Sequence, residues 1–120
     1  SFYFFVKPGF DAESVKLSIF FRPVIEYIEH NYMRKITIAE LSTMVHICND
    51  SLFTLFKKAT GTTPAKYILN MRIEASIHFL TTTELSLEEI AERTGFGSAT
   101  YMNRIFRQKL NCTPGKFRGK

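Results

Sequence analysis

Apolar residues recur along this chain at helical spacing rather than in alternation. Phe21, Val24, Ile25 and Ile28 fall 3, 1 and 3 residues apart, one face of a 3.6-residue period. They predict a helix over residues 18–32, with Pro23 tolerated only near its start. Two shorter apolar pairs, Ile38 with Leu41 and Leu87 with Ile90, each sit just after a Ser/Thr-x-x-Glu pattern, Thr37 to Glu40 and Ser86 to Glu89. That is a capping box, in which the hydroxyl accepts from the amide three residues on and the Glu reaches back to the cap amide. Each predicts a short helix of about eight residues. Two further stripes, Leu52, Leu55, Phe56 and Ala59, then Met102, Ile105, Phe106 and Leu110, predict helices over 49–60 and 98–110. Pro64 suits the first turn of a long helix over 64–81, whose broad apolar face carries Tyr67, Ile68, Met71, Ala75, His78 and Phe79. A short helix around 114–118 closes the pattern. The expected fold is all-α with about seven helices.

The pattern occurs twice. Thr37-Ile38-Ala39-Glu40-Leu41 matches Ser86-Leu87-Glu88-Glu89-Ile90 at an offset of 49, whereas Leu55-Phe56-Lys57 matches Ile105-Phe106-Arg107 at 50. Thr63-Pro64 and Tyr67 match Thr113-Pro114 and Phe117 at the same 50. One extra residue therefore lies between the two blocks of the second copy. The repeated unit is a helix, a tight turn and a second helix, a unit with which DNA is often read. The expected division is an N-terminal extension or remnant of an upstream domain over 1–17, a first lobe over 18–63, a linker helix over 64–81 and a second lobe over 82–120. Gly95 stands where the second copy's turn calls for left-handed φ; the first copy has His46 there, which tolerates positive φ better than most residues. Ile47 or Phe96 then plugs the space between the helices, and the small Ser42 or Ala91 lets them cross closely. With those stripes buried, the second helix of each unit turns a defined face outward: Asp50, Ser51, Phe53, Thr54, Lys57 and Lys58 in copy one, and Ala99, Thr100, Asn103, Arg104 and Arg107 in copy two.

Charge sharpens this picture. From Arg93 onward there are seven basic residues and no acid, whereas residues 1–92 hold nine basic residues against eleven acids, a net of −2. A basic lobe points to a polyanionic partner. No run approaches the roughly 18–20 apolar residues of a membrane helix. The short apolar stretch Phe2–Val6, followed by a Lys7-Pro8-Gly9 turn, lacks the features of a signal peptide and points to a fragment of a longer protein. Cys48 and Cys112 are far apart and read as reduced, packed thiols.

Laid out together, Leu55-Phe56-Lys57-Lys58-x-Thr60-Gly61-x-Thr63-Pro64-x-x-Tyr67, Ile90-Ala91-x-x-x-Gly95-Phe96-x-Ser98-x-x-Tyr101-Met102-x-Arg104-x-Phe106-Arg107 and Thr113-Pro114-x-x-Phe117-Arg118 resemble the DNA-binding domain of the AraC/XylS family of bacterial transcription regulators. The resemblance covers residues 21–118. It implies two helix-turn-helix lobes joined by a long helix, with recognition helices entering successive major-groove segments, and a role mostly in activation through contact with RNA polymerase at a promoter. The sequence departs from the family pattern at His46, at Ser42, and on the outer face of the first recognition helix, which lacks the Arg or Gln often found there.

Major-groove readout needs donors and acceptors matched to base edges. Arg104 suits guanine and Asn103 suits adenine, with Thr100 one turn earlier and Ala99 at the helix start. In copy one the corresponding candidates are Thr54, Phe53, Asp50 and Ser51. Phe53 can pack on a thymine methyl, and Asp50 reads as a helix N-terminal charge complementing the dipole ahead of a cytosine reader. Phosphate contacts, which position without reading sequence, are expected from Lys57, Lys58, Arg107 and Lys109, and from the helix starts at Thr37, Ser86 and Ser98.

Two other classes were weighed. His30, His46, His78 and the cysteines have no metal-ligand spacing, and no phosphate loop, nucleophile elbow or paired-carboxylate site is present; no catalysis, metal or cofactor is expected. A helical protein-interaction module, in which only the second lobe or neither meets DNA, is the alternative. The expected partners are double-stranded promoter DNA, RNA polymerase, and a small-molecule effector only through a domain outside this chain. No membrane contact is expected. The chain itself is expected to be a monomer, the full-length protein a dimer, and its place the cytoplasm, on the nucleoid.

Overall fold

Eight helices make up the described part of the chain, residues 12–119 of a computed structural model. They are α1 Ala12–Phe20, α2 Arg22–Asn31, α3 Ile38–Met44, α4 Asn49–Thr60, α5 Pro64–Thr82, α6 Leu87–Thr94, α7 Ala99–Leu110 and α8 Gly115–Arg118. The helices divide between two compact units. The first takes the described residues up to Asn31 together with Ile36–Ile68; the second takes Tyr32–Lys35 and the chain from Leu69 onward. The apolar stretch Phe2–Val6 and the Lys7-Pro8-Gly9 turn lie outside the described residues.

The single helix expected over 18–32 is two helices. Pro23 has no N–H, and its ring collides with the carbonyl four residues back in a continuous helix. The chain therefore turns at Phe21 and restarts at Arg22, with Pro23 in the new first turn. Phe21 N still donates to Leu17 O at 3.0 Å and Ile25 N to Phe21 O at 2.9 Å, so the backbone is satisfied across the break. Helix α1 begins at Ala12, inside the stretch read as an extension, and packs on α4. Phe21, Val24, Ile25 and Ile28 are fully buried.

The first unit's core joins these residues to Leu41, Leu52 and Phe56, all fully buried. Phe56 meets Phe21 edge-on at 5.6 Å and Tyr67 at 5.7 Å, a geometry that aligns ring edge with ring face. The second unit repeats the arrangement. Phe106, also fully buried, meets Phe96 at 6.4 Å and Phe117 at 5.9 Å, within a core of Ile73, Leu80, Ile90, Ala91, Met102 and Ile105. Several expected core positions sit nearer the surface. Ile38, Leu87, Leu55 and Ile47 are half-buried, Leu110 is exposed, and His78 is exposed. In the second unit the buried face of α5 runs through Ile73, Ser76 and Leu80 rather than Met71, Ala75 and His78. Ser76 is tolerated there because its hydroxyl reaches Arg72 O at 2.8 Å and Thr94 Oγ1 at 3.2 Å, while Thr94 donates to Ile90 O at 2.7 Å; buried hydroxyls paired in this way avoid the desolvation cost.

The last turn of α5 is closed by a side chain. The Arg118 guanidinium donates to Thr83 O at 2.9 Å, to Phe79 O and Leu80 O at 3.4 Å each, and to Leu85 O. A cation on the terminal carbonyls of a helix satisfies groups that have no intrahelical partner and complements the dipole. Arg118 thus joins α8 to the end of α5, and its charge is spent inside the fold.

The two turns differ where the sequence offsets differ. In copy one Ile47 N donates to Ser42 O at 3.1 Å; in copy two Gly97 N donates to Ala91 O at 3.0 Å, one residue later. Gly97, at φ 88°, is the extra residue. His46 and Gly95 both take the left-handed conformation, at φ 58° and 93°. Space separates the two glycines of the second turn. A Cβ on Gly95 would lie 2.8 Å from Arg72 Nε and from Tyr32 O, whereas one on Gly97 would meet nothing within 4 Å. Arg72 cannot retreat freely, since it donates to Tyr32 O at 2.7 Å and Arg34 O at 3.1 Å. Both alanine substitutions carry the left-handed penalty of roughly 1–2 kcal/mol. Gly95→Ala adds an overpacking cost of roughly 1–3 kcal/mol. Thermal or denaturant unfolding is expected to rank Gly95→Ala well below Gly97→Ala; equal losses would show that the crowding around Gly95 relaxes without cost.

Candidate nucleic-acid interface

Each copy presents its second helix by the same local devices. Both capping boxes form: Thr37 Oγ1 accepts from Glu40 N at 3.2 Å while Glu40 Oε2 accepts from Thr37 N at 2.8 Å, and Ser86 and Glu89 do the same at 3.1 Å and 2.9 Å. The hydroxyls and amides of Thr37 and Ser86 are therefore engaged within the fold. The Glu40 and Glu89 carboxylates also place negative charge at the helix starts where a phosphate was expected. The amide and hydroxyl of Ser86 hold the Glu89 carboxyl below its ordinary pKa. Glu40 has a further partner, the Tyr27 hydroxyl at 2.6 Å.

Helices α4 and α7 are both twelve residues long. Their N-caps, Cys48 and Ser98, correspond at an offset of 50, as do their C-caps, Gly61 and Asn111, both left-handed at φ 84° and 58°. Ser98 Oγ accepts from Tyr101 N at 3.2 Å. Cys48 makes no side-chain cap bond. The start of α4 is tied instead through Asn49, whose Oδ1 lies 2.7 Å from Ser42 Oγ on α3. Ser42 thus links α3 to α4.

On α7, Thr100, Arg104, Arg107 and Lys109 are exposed, and Asn103, Ala99 and Ser98 are half-buried. The Arg104 guanidinium lies over the Tyr101 ring, 5.2 Å from its centroid, within the range of a cation–π contact. On α4, Asp50, Phe53, Thr54, Lys57 and Lys58 are exposed and Ser51 is half-buried. Two of these have partners. Thr54 Oγ1 donates to Asp50 O at 3.3 Å, and Lys58 Nζ pairs with Glu13 Oε2 of α1 at 3.1 Å. Residue types on the two units differ in charge as well. Among the described residues the first unit holds five basic and five acidic side chains and the second nine basic and five acidic, so the positive excess lies in the second.

A helix-turn-helix domain model matches residues 41–120. The chain belongs to the AraC/XylS family of transcription regulators. Over 99 residues it is 38% identical to the XylDLEGF operon transcriptional activator 2 of Pseudomonas putida, covering 80% of this chain and 60% of that protein. The C-terminal domain of the two-component response regulator yesN from Fusobacterium nucleatum superimposes with a TM-score of 0.74 at 32% identity, covering 80% of this chain and 94% of that one. An AraC-type regulator from Chromobacterium violaceum gives 0.78 at 26% identity, covering 90% and 94%. The chain spans 29% to 45% of the length of seven other curated regulators that it matches. This AraC/XylS chain has, among its described residues, no helix long and apolar enough to cross a membrane and no cluster of three or more metal-ligating side chains.

Four partnerships escaped the sequence reading. Tyr101 sits three residues before Arg104, a spacing that places neighbours on one helix face, and this was the available signal. The Ser42–Asn49 bond reaches across the turn to a residue seven positions on, and the carbonyl pockets of Arg72 and Arg118 join residues 33 to 40 positions apart.

The cysteines are not both packed. Cys48 is exposed and Cys112 half-buried. The Ser51 hydroxyl, with Oγ 3.2 Å from Sγ, and the Ser51 amide hold the Cys48 thiol below its ordinary pKa. A lower pKa raises the thiolate fraction at neutral pH. Alkylation followed by peptide mass mapping is expected to modify Cys48 ahead of Cys112, and Ser51→Ala, which removes the hydroxyl bond, to slow Cys48. An unchanged Cys48 rate in that variant would show that exposure alone sets its reactivity.

Proposed function

We propose that this AraC/XylS chain is the module that reads duplex promoter DNA, with α7 as the principal base-reading helix. The observation that carries the reading is the outward face of α7. Arg104 makes no hydrogen bond or ion pair among the described residues, it is flanked by Thr100, Asn103 and Arg107, and it stands in the unit that holds the whole positive excess. Arg104 offers bidentate donors to guanine O6 and N7, and Asn103 a donor and an acceptor to adenine. Arg107, Lys109 and Lys57 supply phosphate contacts, together with the unpaired amides at the start of α7 beyond Ser98. Lys58, committed to Glu13, contributes less. In the longer protein this module serves as an activator, as the name of the Pseudomonas putida relative supports. It works beside RNA polymerase on the nucleoid, with effector binding and dimerisation supplied by a domain outside this chain.

For α4 a second reading competes: it anchors on the backbone or meets a protein. Phe53 is exposed at 42%, Thr54 uses its hydroxyl within the helix, and the unit has no net charge. Selection of bound sequences from a random duplex pool at physiological salt separates the readings. Two enriched blocks, one lost in Arg104→Ala and the other in Thr54→Ala, mean that both helices read bases. A single block lost only in Arg104→Ala assigns α4 to anchoring, and no enrichment sinks the proposal. On the selected duplex, Arg104→Ala is expected to cost roughly 1–3 kcal/mol, concentrated at one base pair, while Lys57→Ala weakens all duplexes alike and lowers the salt slope by about one.

A further inference from the structure

Two ring contacts of Tyr101 place it between the core and the outward face of α7. Its ring meets buried Phe96 edge-on at 5.9 Å, and Phe96 in turn meets Phe106 at 6.4 Å. The same ring lies under the Arg104 guanidinium, 5.2 Å from its centroid. We propose that Tyr101 is a specificity-positioning residue: it holds Arg104 by its π-face so that the guanidinium's in-plane N–H edges stay free for a base. This rests on Arg104 as a base reader.

The chemistry favours this division of labour. A guanidinium is planar; stacking occupies its face, while its five donors point outward in the plane and remain available for a bidentate partner. A carboxylate holding the same arginine would consume those donors. An unsupported arginine must instead lose most of its rotamer freedom at the moment of binding. Tyr101 can restrain Arg104 because it is itself restrained: its backbone is fixed by the Ser98 cap at 3.2 Å, and its ring is half-buried against Phe96. The first copy provides an internal contrast. At an offset of 50, Tyr101 corresponds to Ser51 and Arg104 to Thr54. Ring and guanidinium are thus both absent where the first copy has no arginine to hold.

The test is a cycle of Tyr101→Leu, Tyr101→Phe and Arg104→Ala in the full chain, measured on the duplex enriched by the unmodified chain and on duplexes changed at each base pair. Circular dichroism establishes that each variant is folded, and Tyr101→Met takes the place of Tyr101→Leu should the latter unfold. The expected result is that Tyr101→Leu lowers discrimination at the base pair assigned by Arg104→Ala by roughly two- to fivefold, the size of an exposed cation–π contact. Other positions and the salt slope are unchanged, Tyr101→Phe keeps discrimination because it keeps the ring, and Tyr101→Leu costs nothing further once Arg104 is alanine. Loss spread evenly over all duplexes, or a further loss in the Arg104→Ala background, would overturn the inference while leaving Arg104 as the reader. Should Arg104→Ala itself lose affinity evenly on every duplex, base reading by Arg104 fails, and the inference falls with it.

Discussion

Helices α4 and α7 each depend on one contact: a fully buried phenylalanine at the centre, gripped by an aromatic ring that arrives eleven residues later in the chain. Phe56 with Tyr67 and Phe106 with Phe117 repeat this pairing at 5.7 Å and 5.9 Å. Phe56 and Phe106 are among the largest fully buried side chains, and their edge-to-face geometry fixes orientation as well as depth. A helix held at its middle by such a contact can leave its opposite face polar. The outward rows on α4 and α7 exist because the inward anchor leaves no need for them to contribute to the core. Small units have little apolar area to spare, so the anchor also explains why Pro64 and Pro114, both buried, precede the second ring at the same distance in each copy.

Much of this was legible in the amino-acid sequence. The capping boxes at Thr37 and Ser86, the glycine at the second turn and the repeated Phe and Thr-Pro positions all act within a few residues of themselves, so their spacing alone identifies them. The break at Phe21 was only half legible: Pro23 marked a helix start, but the strong period of Phe21 to Ile28 concealed a second helix before it. His78 and Leu110 were misplaced because periodicity gives a face and not its neighbours. On α5 the buried face of the second unit is set by where α6 and α7 lie, which rotates it to Ile73, Ser76 and Leu80.

For the candidate interface, residue types were legible and their availability was not. Arg118, Lys58 and Arg104 are all basic and all lie in or near motifs, yet each has a different fate. Arg118 is consumed by the carbonyls of α5, Lys58 is paired with Glu13, and Arg104 is supported from beneath by a ring with its donors unengaged. Counting charge treats them as equal. Only the placement of distant backbone and side-chain groups distinguishes a structural cation from one offered to a ligand, and that placement is a tertiary property.

The extra residue at Gly97 lies between two stretches that each keep a constant offset. Up to the turn the copies run 49 residues apart, and from the N-caps Cys48 and Ser98 to the C-caps Gly61 and Asn111 they run 50 apart. The length difference is therefore confined to a single exposed position with open space around it. From cap to cap, α4 and α7 have the same length, so Phe56 and Phe106 fall at the same turn of their helices. Gly97 absorbs the whole length difference at the turn and leaves the register of both helices intact.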